Sequence, residues 1–155
     1  MLERMRQWIL SNEPGAEFVN HLRMAVARKF GREGQYSLFV RSDTNVEDLP
    51  GFTGAGLNLT VPNVRSFDTL VDAILRVWAS PFSERAFAWR QQRMDRPEWV
   101  FPSILLLRSV EVDKSGVMLT VNPETGNREQ LTVAINQGIG GAVSGGAAEE
   151  LRLDR

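Results

Sequence analysis

The segment from Val40 to Thr60, VRSDTNVEDLPGFTGAGLNLT, holds the residues of this chain that are best suited to chemistry. Arg41 ends an apolar run, and a charged group there is costly to hold unless it meets an anion. Its planar guanidinium matches a pair of phosphate oxygens. Hydroxyl donors and glycines, which let backbone N–H groups approach an anion closely, follow it: Ser42, Thr44, Gly51, Gly54 and Gly56. The segment therefore predicts an anion-binding loop, and a salt bridge from Arg41 to Glu47 or Asp48 is the alternative interpretation.

Two further segments could contact a ligand through their backbone. The stretch from Gly138 to Gly146 contains five glycines, which suits either a second phosphate-facing loop or a flexible end of the chain. The apolar run from Ile104 to Val112 would expose backbone donors and acceptors around Leu107–Val110, where a purine could bind. A plain core strand is the alternative for that run, because no side chain in it is specific for a purine.

Few residues could support nucleophilic or metal chemistry. The one histidine, His21, lies in a predicted helix without a carboxylate partner nearby in sequence, so a packed or surface position is expected. The absence of cysteine excludes disulfides, thiolate metal ligands and cysteine nucleophiles. Lys29 and Lys114 are the only lysines, and neither lies in a Walker-type motif. We therefore expect no catalytic residue and no metal ligand within the chain.

Composition excludes several classes of protein. A length of 155 residues suits one domain of ordinary size. The formal net charge of −1 argues against binding to a nucleic-acid backbone or to an anionic membrane surface. No run approaches the roughly 20 apolar residues of a membrane span, and Met1–Leu10 lacks the pattern of a signal peptide. Together with the lack of cysteine, this predicts a cytoplasmic protein without nucleic-acid or membrane partners.

Hydrophobic periodicity predicts helices first and strands later. The predicted order is a helix ending before Gly31, a strand at Tyr36–Arg41, a loop at Thr44–Gly56, a strand at Leu57–Val61 that Pro62 ends, helices starting after Ser66 and after Ser80, and three antiparallel strands beginning near Ile104, Val117 and Leu131. In the second of the paired helices, the arginines at 85, 90 and 93 should face solvent. The order predicts an α+β domain with a helix-rich part at 1–100 and a sheet part at 101–155.

Three stretches, in this order, resemble the ATP-binding domain of the pyruvate phosphate dikinase and phosphoenolpyruvate synthase family. They are VRSDTNVEDLPGFTGAG, AILRVWASPFSERAFAWR (Ala73–Arg90) and SGVMLTVNPETGNREQLTVAINQGIGGAVSG (Ser115–Gly145). The resemblance implies an ATP-grasp-like fold with ATP between two α+β subdomains. It also implies transfer of a phosphoryl group from ATP, accompanied by Mg²⁺, to a histidine on a separate swivelling domain.

The resemblance also implies site residues. Arg41 would contact the ATP phosphates, Gly56 and Thr60 would belong to the loop that covers them, and the strand edge formed by Leu107, Arg108, Ser109 and Val110 would hold adenine. Leu107 stands where many relatives have glutamine, so a side-chain contact is lost there. Leu57 and Asn58 replace polar residues common in relatives, which changes the detail of that loop.

Several parts of the family site have no counterpart in this sequence. They are an upstream lysine, a downstream glutamate, a Gln-x-Arg motif and the mobile histidine domain. Phosphoryl transfer depends on positioning and on charge neutralisation. We therefore interpret residues 1–155 as a fragment of one such domain that is not a complete catalyst. A non-catalytic regulatory or interaction module with the same fold is the alternative.

Overall fold

A computed structural model describes residues 1–46, 48–49, 52–53, 56–139 and 149–154. The chain forms two compact units, Met1–Ser109 and Val110–Arg155. Helices occur in the first unit and strands in both, so the class is α+β. None of the helices in the described ranges has the length and apolar character needed to cross a bilayer.

In its described residues, the first unit contains four α-helices, one 3₁₀ turn and five strands. In chain order they are α1 (Leu2–Ser11), α2 (Ala16–Phe30), β1 (Leu38–Thr44), β2 (Asp48–Leu49), β3 (Phe52–Thr53), β4 (Thr60–Val64), α3 (Phe67–Ala79), the 3₁₀ turn (Ser80–Phe82), α4 (Glu84–Arg93) and β5 (Pro102–Arg108). The order β4-β1-β5 forms an antiparallel sheet, and β2 pairs with β3 as a short hairpin.

The core lies between α3 and one face of this sheet. Its buried residues are Val26, Tyr36, Leu38, Val40, Val64, Phe67, Leu70, Ala73, Ile74 and Val77. The helical stripe predicted for α3 is confirmed, and so is its cap, because the Ser66 hydroxyl accepts the backbone N–H of Thr69. The predicted end of α2 before Gly31 is also confirmed.

The loop predicted at Thr44–Gly56 contains two short strands, β2 and β3, and β1 runs to Thr44 rather than ending at Arg41. Two other sequence predictions in this unit were wrong at the ends of their elements. The strand predicted to stop at Pro62 continues through it to Val64. Proline is tolerated there because β4 is an edge strand of the sheet. The pairing of β4 with β1 is also irregular between Leu38 and Val40. Asn63, which follows the proline, has a φ of 60°. The helix predicted to start at Ser80–Pro81 is instead the 3₁₀ turn, and α4 takes its cap from the Ser83 hydroxyl.

Arg90 corrects a further prediction, because its side chain is 3% exposed rather than turned to solvent. Its guanidinium donates to the carbonyl oxygens of Pro81 and Pro97 and lies 5.6 Å from the centre of the Phe87 ring. A helix position that looks outward by periodicity is therefore covered by the segment that follows the helix.

The residues that the structure describes in the second unit form a three-stranded antiparallel sheet in the order β6-β7-β8. Its strands are β6 (Lys114–Leu119), β7 (Gln130–Gln137) and β8 (Glu149–Asp154), of which the last was not predicted. Gly116 allows β6 to approach β7 closely, since a Cβ there would lie 2.5 Å from the carbonyl oxygen of Ala134. The predicted block of three strands is thus divided: its first strand, β5, pairs with β1 in the first unit.

Candidate functional site

The sheet of the first unit has one covered face and one open face. Along the central strand β1, burial alternates residue by residue: Leu38, Val40, Ser42 and Thr44 are buried, whereas Arg41 and Asp43 are exposed and Phe39 is half-buried. Side chains of a strand point alternately to the two faces of its sheet. Phe39, Arg41 and Asp43 therefore lie on the open face, opposite the core.

Arg41 is held at the centre of this open face by both neighbouring strands. It lies opposite Thr60 of β4 on one side and opposite Leu105 of β5 on the other. Directly opposed residues of antiparallel strands share a face. The sheet register thus brings Arg41 and Thr60, two of the predicted phosphate-binding residues, side by side.

The guanidinium of Arg41 is the group that the sequence assigned to an anion. It is exposed, and no hydrogen bond or ion pair joins it to any residue in the described ranges. Glu47, one alternative partner that the sequence suggested, lies outside those ranges, and for Asp48 the structure describes the backbone, in β2. Gly51, Gly54 and the glycines from 140 to 146 also lie outside them.

Gly56 was predicted to lie on the loop that covers the ATP phosphates, and the structure describes this residue. Its φ is 78°, a left-handed backbone conformation that residues other than glycine rarely adopt. A Cβ there would meet no atom within 4 Å, so the backbone angle rather than crowding favours glycine at this position. Gly56 leads into Leu57–Leu59 and then into β4, which carries Thr60.

The predicted adenine-binding stretch divides between the two faces of β5. Leu107 lies opposite Phe39 and shares the open face with Leu105, and these two leucines are 41% and 42% exposed. Arg108 lies opposite Leu38, on the covered side. The open face therefore joins an apolar strip at the Leu107 end to a cation at Arg41.

The side chain of Arg108 serves the protein itself. Its guanidinium donates to the carbonyl oxygens of Phe30, at 2.9 Å, and of Gln35, at 3.3 Å, and lies 6.0 Å from the centre of the Phe30 ring. A cation near the end of a helix is favourable there because unpaired carbonyl groups carry partial negative charge. Arg108 thus fixes the end of α2 to the end of β5, which leaves its backbone for any ligand contact.

The outer edge of β5 offers backbone groups in alternation. Ser109 donates its N–H to the carbonyl oxygen of Ser37 at 2.7 Å, in register with the β1–β5 pairing. Bonding alternates along antiparallel strands, so the N–H and C=O groups of Leu106 and Arg108 point away from β1. Val110, the last residue of the predicted stretch, is 67% exposed and begins the second unit.

Sequence reasoning missed three residues of this surface: Phe39, Asp43 and Leu105. The signal that could have found them is the period-two alternation from Arg41, which places residues 39 and 43 on its face. Asp43 matters most, because it is two residues along the strand from Arg41, a backbone rise of about 7 Å, and carries a carboxylate. This carboxylate would repel a polyanion bound at the guanidinium.

Metal-binding and histidine chemistry find little support on this surface. His21 lies on α2 and is exposed. Across the described residues, no group of three or more His, Cys, Asp or Glu side chains is arranged to hold a metal ion. The surface as described combines the exposed cation of Arg41 with the apolar side chains of Leu105 and Leu107.

The sequence matches a known protein family along nearly its whole length. Residues 1–152 match the family model described as "Pyruvate phosphate dikinase, AMP/ATP-binding domain". A phosphoenolpyruvate synthase of Pyrococcus furiosus is 34% identical over 148 residues, which cover 94% of this chain and 18% of that protein. A probable phosphoenolpyruvate synthase of Pyrococcus abyssi is 34% identical over 146 residues, covering 92% and 18%. A rifampicin phosphotransferase of Bacillus subtilis is 32% identical over 143 residues, covering 92% and 16%.

These relatives are much longer proteins, and the chain spans only 16–18% of their length. The match nevertheless covers nearly all of the chain, and the matched residues 1–152 include the three stretches quoted above. The resemblance inferred from the sequence is therefore confirmed, and the chain belongs to the pyruvate phosphate dikinase AMP/ATP-binding domain family.

Proposed function

We propose that this chain is the ATP-binding portion of a dikinase-type phosphotransferase with an ATP-grasp-like fold. In this proposal ATP, accompanied by Mg²⁺, gives up a phosphoryl group to a histidine on a separate swivelling domain, as in phosphoenolpyruvate synthase. The protein acts in the cytoplasm. The observation that carries the proposal is the guanidinium of Arg41, exposed and unpaired within the described residues, at the centre of an open sheet face.

The open face suits the two ends of a nucleotide. Arg41 provides a planar pair of donors for phosphate oxygens, and the hydroxyl of Thr60 lies on the neighbouring strand. Leu107 and Phe39 form the apolar end, about 7 Å along the strands from Arg41. The edge of β5 that faces away from β1 supports base recognition through the backbone of Leu106 and Arg108. Gly56 and Ser109–Val110 flank this surface in sequence.

Mg²⁺ would arrive with the nucleotide. This ion is commonly bound by substrate phosphates together with one or two carboxylates, and Asp43 is the carboxylate that β1 carries on the open face. The chain's own residues would bind and orient the triphosphate, while Mg²⁺ would neutralise part of its charge.

A calorimetric titration of ATP against wild-type protein and Arg41→Ala tests the proposal. A hydrogen bond to a charged group contributes about 1.5–3 kcal/mol, so the variant should bind ATP roughly 10- to 100-fold more weakly. Arg85→Ala is the matched control, since Arg85 is an exposed arginine on α4. Equal ATP affinity in wild-type protein and Arg41→Ala would refute the assignment.

The second candidate is a regulatory or interaction module that kept the fold and lost nucleotide binding. It is favoured by Leu107, whose side chain offers the open face neither a donor nor an acceptor. This candidate predicts that ATP produces no thermal shift. A thermal shift that depends on ATP and on Arg41 would exclude it.

A further inference from the structure

One side chain ties the end of β1 to the segment that precedes β5. Asn45 donates from Nδ2 to the carbonyl oxygen of Trp99 at 3.0 Å, and its Oδ1 accepts the N–H of Phe101 at 2.9 Å. A single amide thus satisfies one acceptor and one donor of another backbone segment, as a neighbouring strand would. The contact extends the β1–β5 pairing by one further step beyond Thr44 and Pro102.

A second connection holds the start of β4. The N–H of Leu59 donates to the hydroxyl of Ser80 at 3.0 Å, and that hydroxyl donates to the carbonyl oxygen of Val77 at 2.8 Å. Asn58 adds a contact at 3.3 Å from its Nδ2 to the hydroxyl of Thr44. The residues just before Thr60 are therefore anchored to the end of α3 and to the end of β1.

Arg90 joins the two anchoring points. Its Nε donates to the carbonyl oxygen of Pro97 at 3.2 Å, two residues before Trp99, and its Nη1 donates to the carbonyl oxygen of Pro81, directly after Ser80. Burial lowers the pKa of this arginine, and its bonding partners in the described residues are carbonyl groups. Burying a cation costs free energy unless hydrogen bonds satisfy it, and these two carbonyl groups accept such bonds.

We propose that Asn45 and Arg90 are positioning residues for nucleotide binding. Together they hold the end of β1, after Arg41, and the start of β4, at Thr60, on one scaffold made of the 3₁₀ turn and residues 97–101. This inference rests on the proposed function. A displacement of about 1 Å at a binding group can cost up to 100-fold in activity. Loss of the hydrogen bonds of Asn45 or Arg90 should therefore weaken ATP binding, although neither side chain needs to contact ATP.

The test compares Asn45→Ala with Asn12→Ala in the intact chain. Asn12 is a matched control because its Nδ2 also donates to a tryptophan carbonyl, that of Trp8, at 2.6 Å on α1. We expect Asn45→Ala to lower ATP affinity at least about fivefold by calorimetry and to speed hydrogen exchange at the amide of Phe101. Asn12→Ala should leave both unchanged. Arg90→Lys keeps the charge but presents one ammonium group to two separated carbonyls, and it should weaken ATP binding as well.

The outcomes separate this inference from the proposed function. If wild-type protein binds ATP and Asn45→Ala binds it equally well, the positioning role is refuted while the proposed function stands. If Asn45→Ala and Asn12→Ala weaken ATP binding equally, the effect is general loss of stability and the inference also fails. If wild-type protein does not bind ATP and Arg41→Ala behaves the same, the proposed function fails and takes the inference with it. Asn45→Asp, which retains the acceptor for Phe101, should recover part of the lost protection from exchange.

Discussion

A pair of leucine substitutions tests whether the sheet of the first unit has one packed face and one open face. Leu38 lies on β1 with none of its side chain exposed, whereas Leu107, directly opposite Phe39 on β5, is 41% exposed. The two residues have the same side chain and lie in paired strands, and their alternation places them on opposite faces. Leu38→Ala and Leu107→Ala therefore differ mainly in the face that they perturb.

The expected magnitudes follow from burial. Truncating a buried leucine to alanine removes apolar contacts and leaves a cavity, which costs about 2–5 kcal/mol, and we expect about 3 kcal/mol for Leu38→Ala. Leu107→Ala loses the contacts of a partly exposed side chain and should cost about 1 kcal/mol or less. With a urea m-value of about 1.5 kcal/mol/M, the midpoints should fall by about 2 M and by less than about 0.7 M.

Tryptophan fluorescence during urea unfolding measures these shifts in the first unit alone. All four tryptophans, Trp8, Trp78, Trp89 and Trp99, lie within Met1–Ser109. The second unit therefore contributes no tryptophan signal. Equal midpoint shifts for the two variants, or a larger one for Leu107→Ala, would refute the assignment of the open face and with it the placement of Arg41.

Three further predictions concern charge, pH and a helix cap. Asp43→Asn should strengthen binding of metal-free ATP about threefold in EDTA, because it removes a negative charge about 7 Å from Arg41; unchanged affinity by calorimetry would contradict this. Burial raises the pKa of Tyr36 above its ordinary value of 10.0, so the unfolded chain ionises first and stability should fall as pH rises above 10. Tyr36→Phe should remove that decline in urea midpoints measured from pH 9 upwards, and a slope that persists would assign the decline to other groups. Ser66→Ala removes the acceptor for the N–H of Thr69 and should cost about 1 kcal/mol by tryptophan-monitored unfolding, and a loss near zero would show that the Thr69 side chain is sufficient.

Local pattern was enough to predict the elements that build the core. The apolar stripe of α3 and the apolar run of β1 follow from hydrophobic periodicity, because apolar residues occupy the positions that face the core. The cap at Ser66 follows from the hydroxyl before a helical stripe. Strand β8 escaped prediction because four of its six residues are charged and all six are exposed, although Leu151 and Leu153 have the alternation of a strand.

The errors arose where distant residues decide the outcome. Arg90 is charged and stands on a helix, so no local signal shows that the carbonyl groups of Pro81 and Pro97 accept its hydrogen bonds. Proline within β4 is permitted by the position of that strand at the edge of the sheet, which depends on topology rather than on the residues themselves.

The candidate site was predictable in its parts and not in its arrangement. Arg41 could be chosen from its residue type and its place at the end of an apolar run. Its position beside Thr60 depends on the register of β1 with β4, which shifts between Leu38 and Val40. The separation of Leu107 and Arg108 onto opposite faces follows from strand alternation alone, once the strand is known.

The tight approach at Gly116 limits how the second unit can be redesigned. Any residue with a Cβ there would push against the backbone carbonyl of Ala134 rather than against a side chain that could rotate away. The central strand β7 would have to shift, and β8 is paired along its other side. A library of variants of this sheet should therefore hold position 116 as glycine and place its diversity on the exposed side chains of β8.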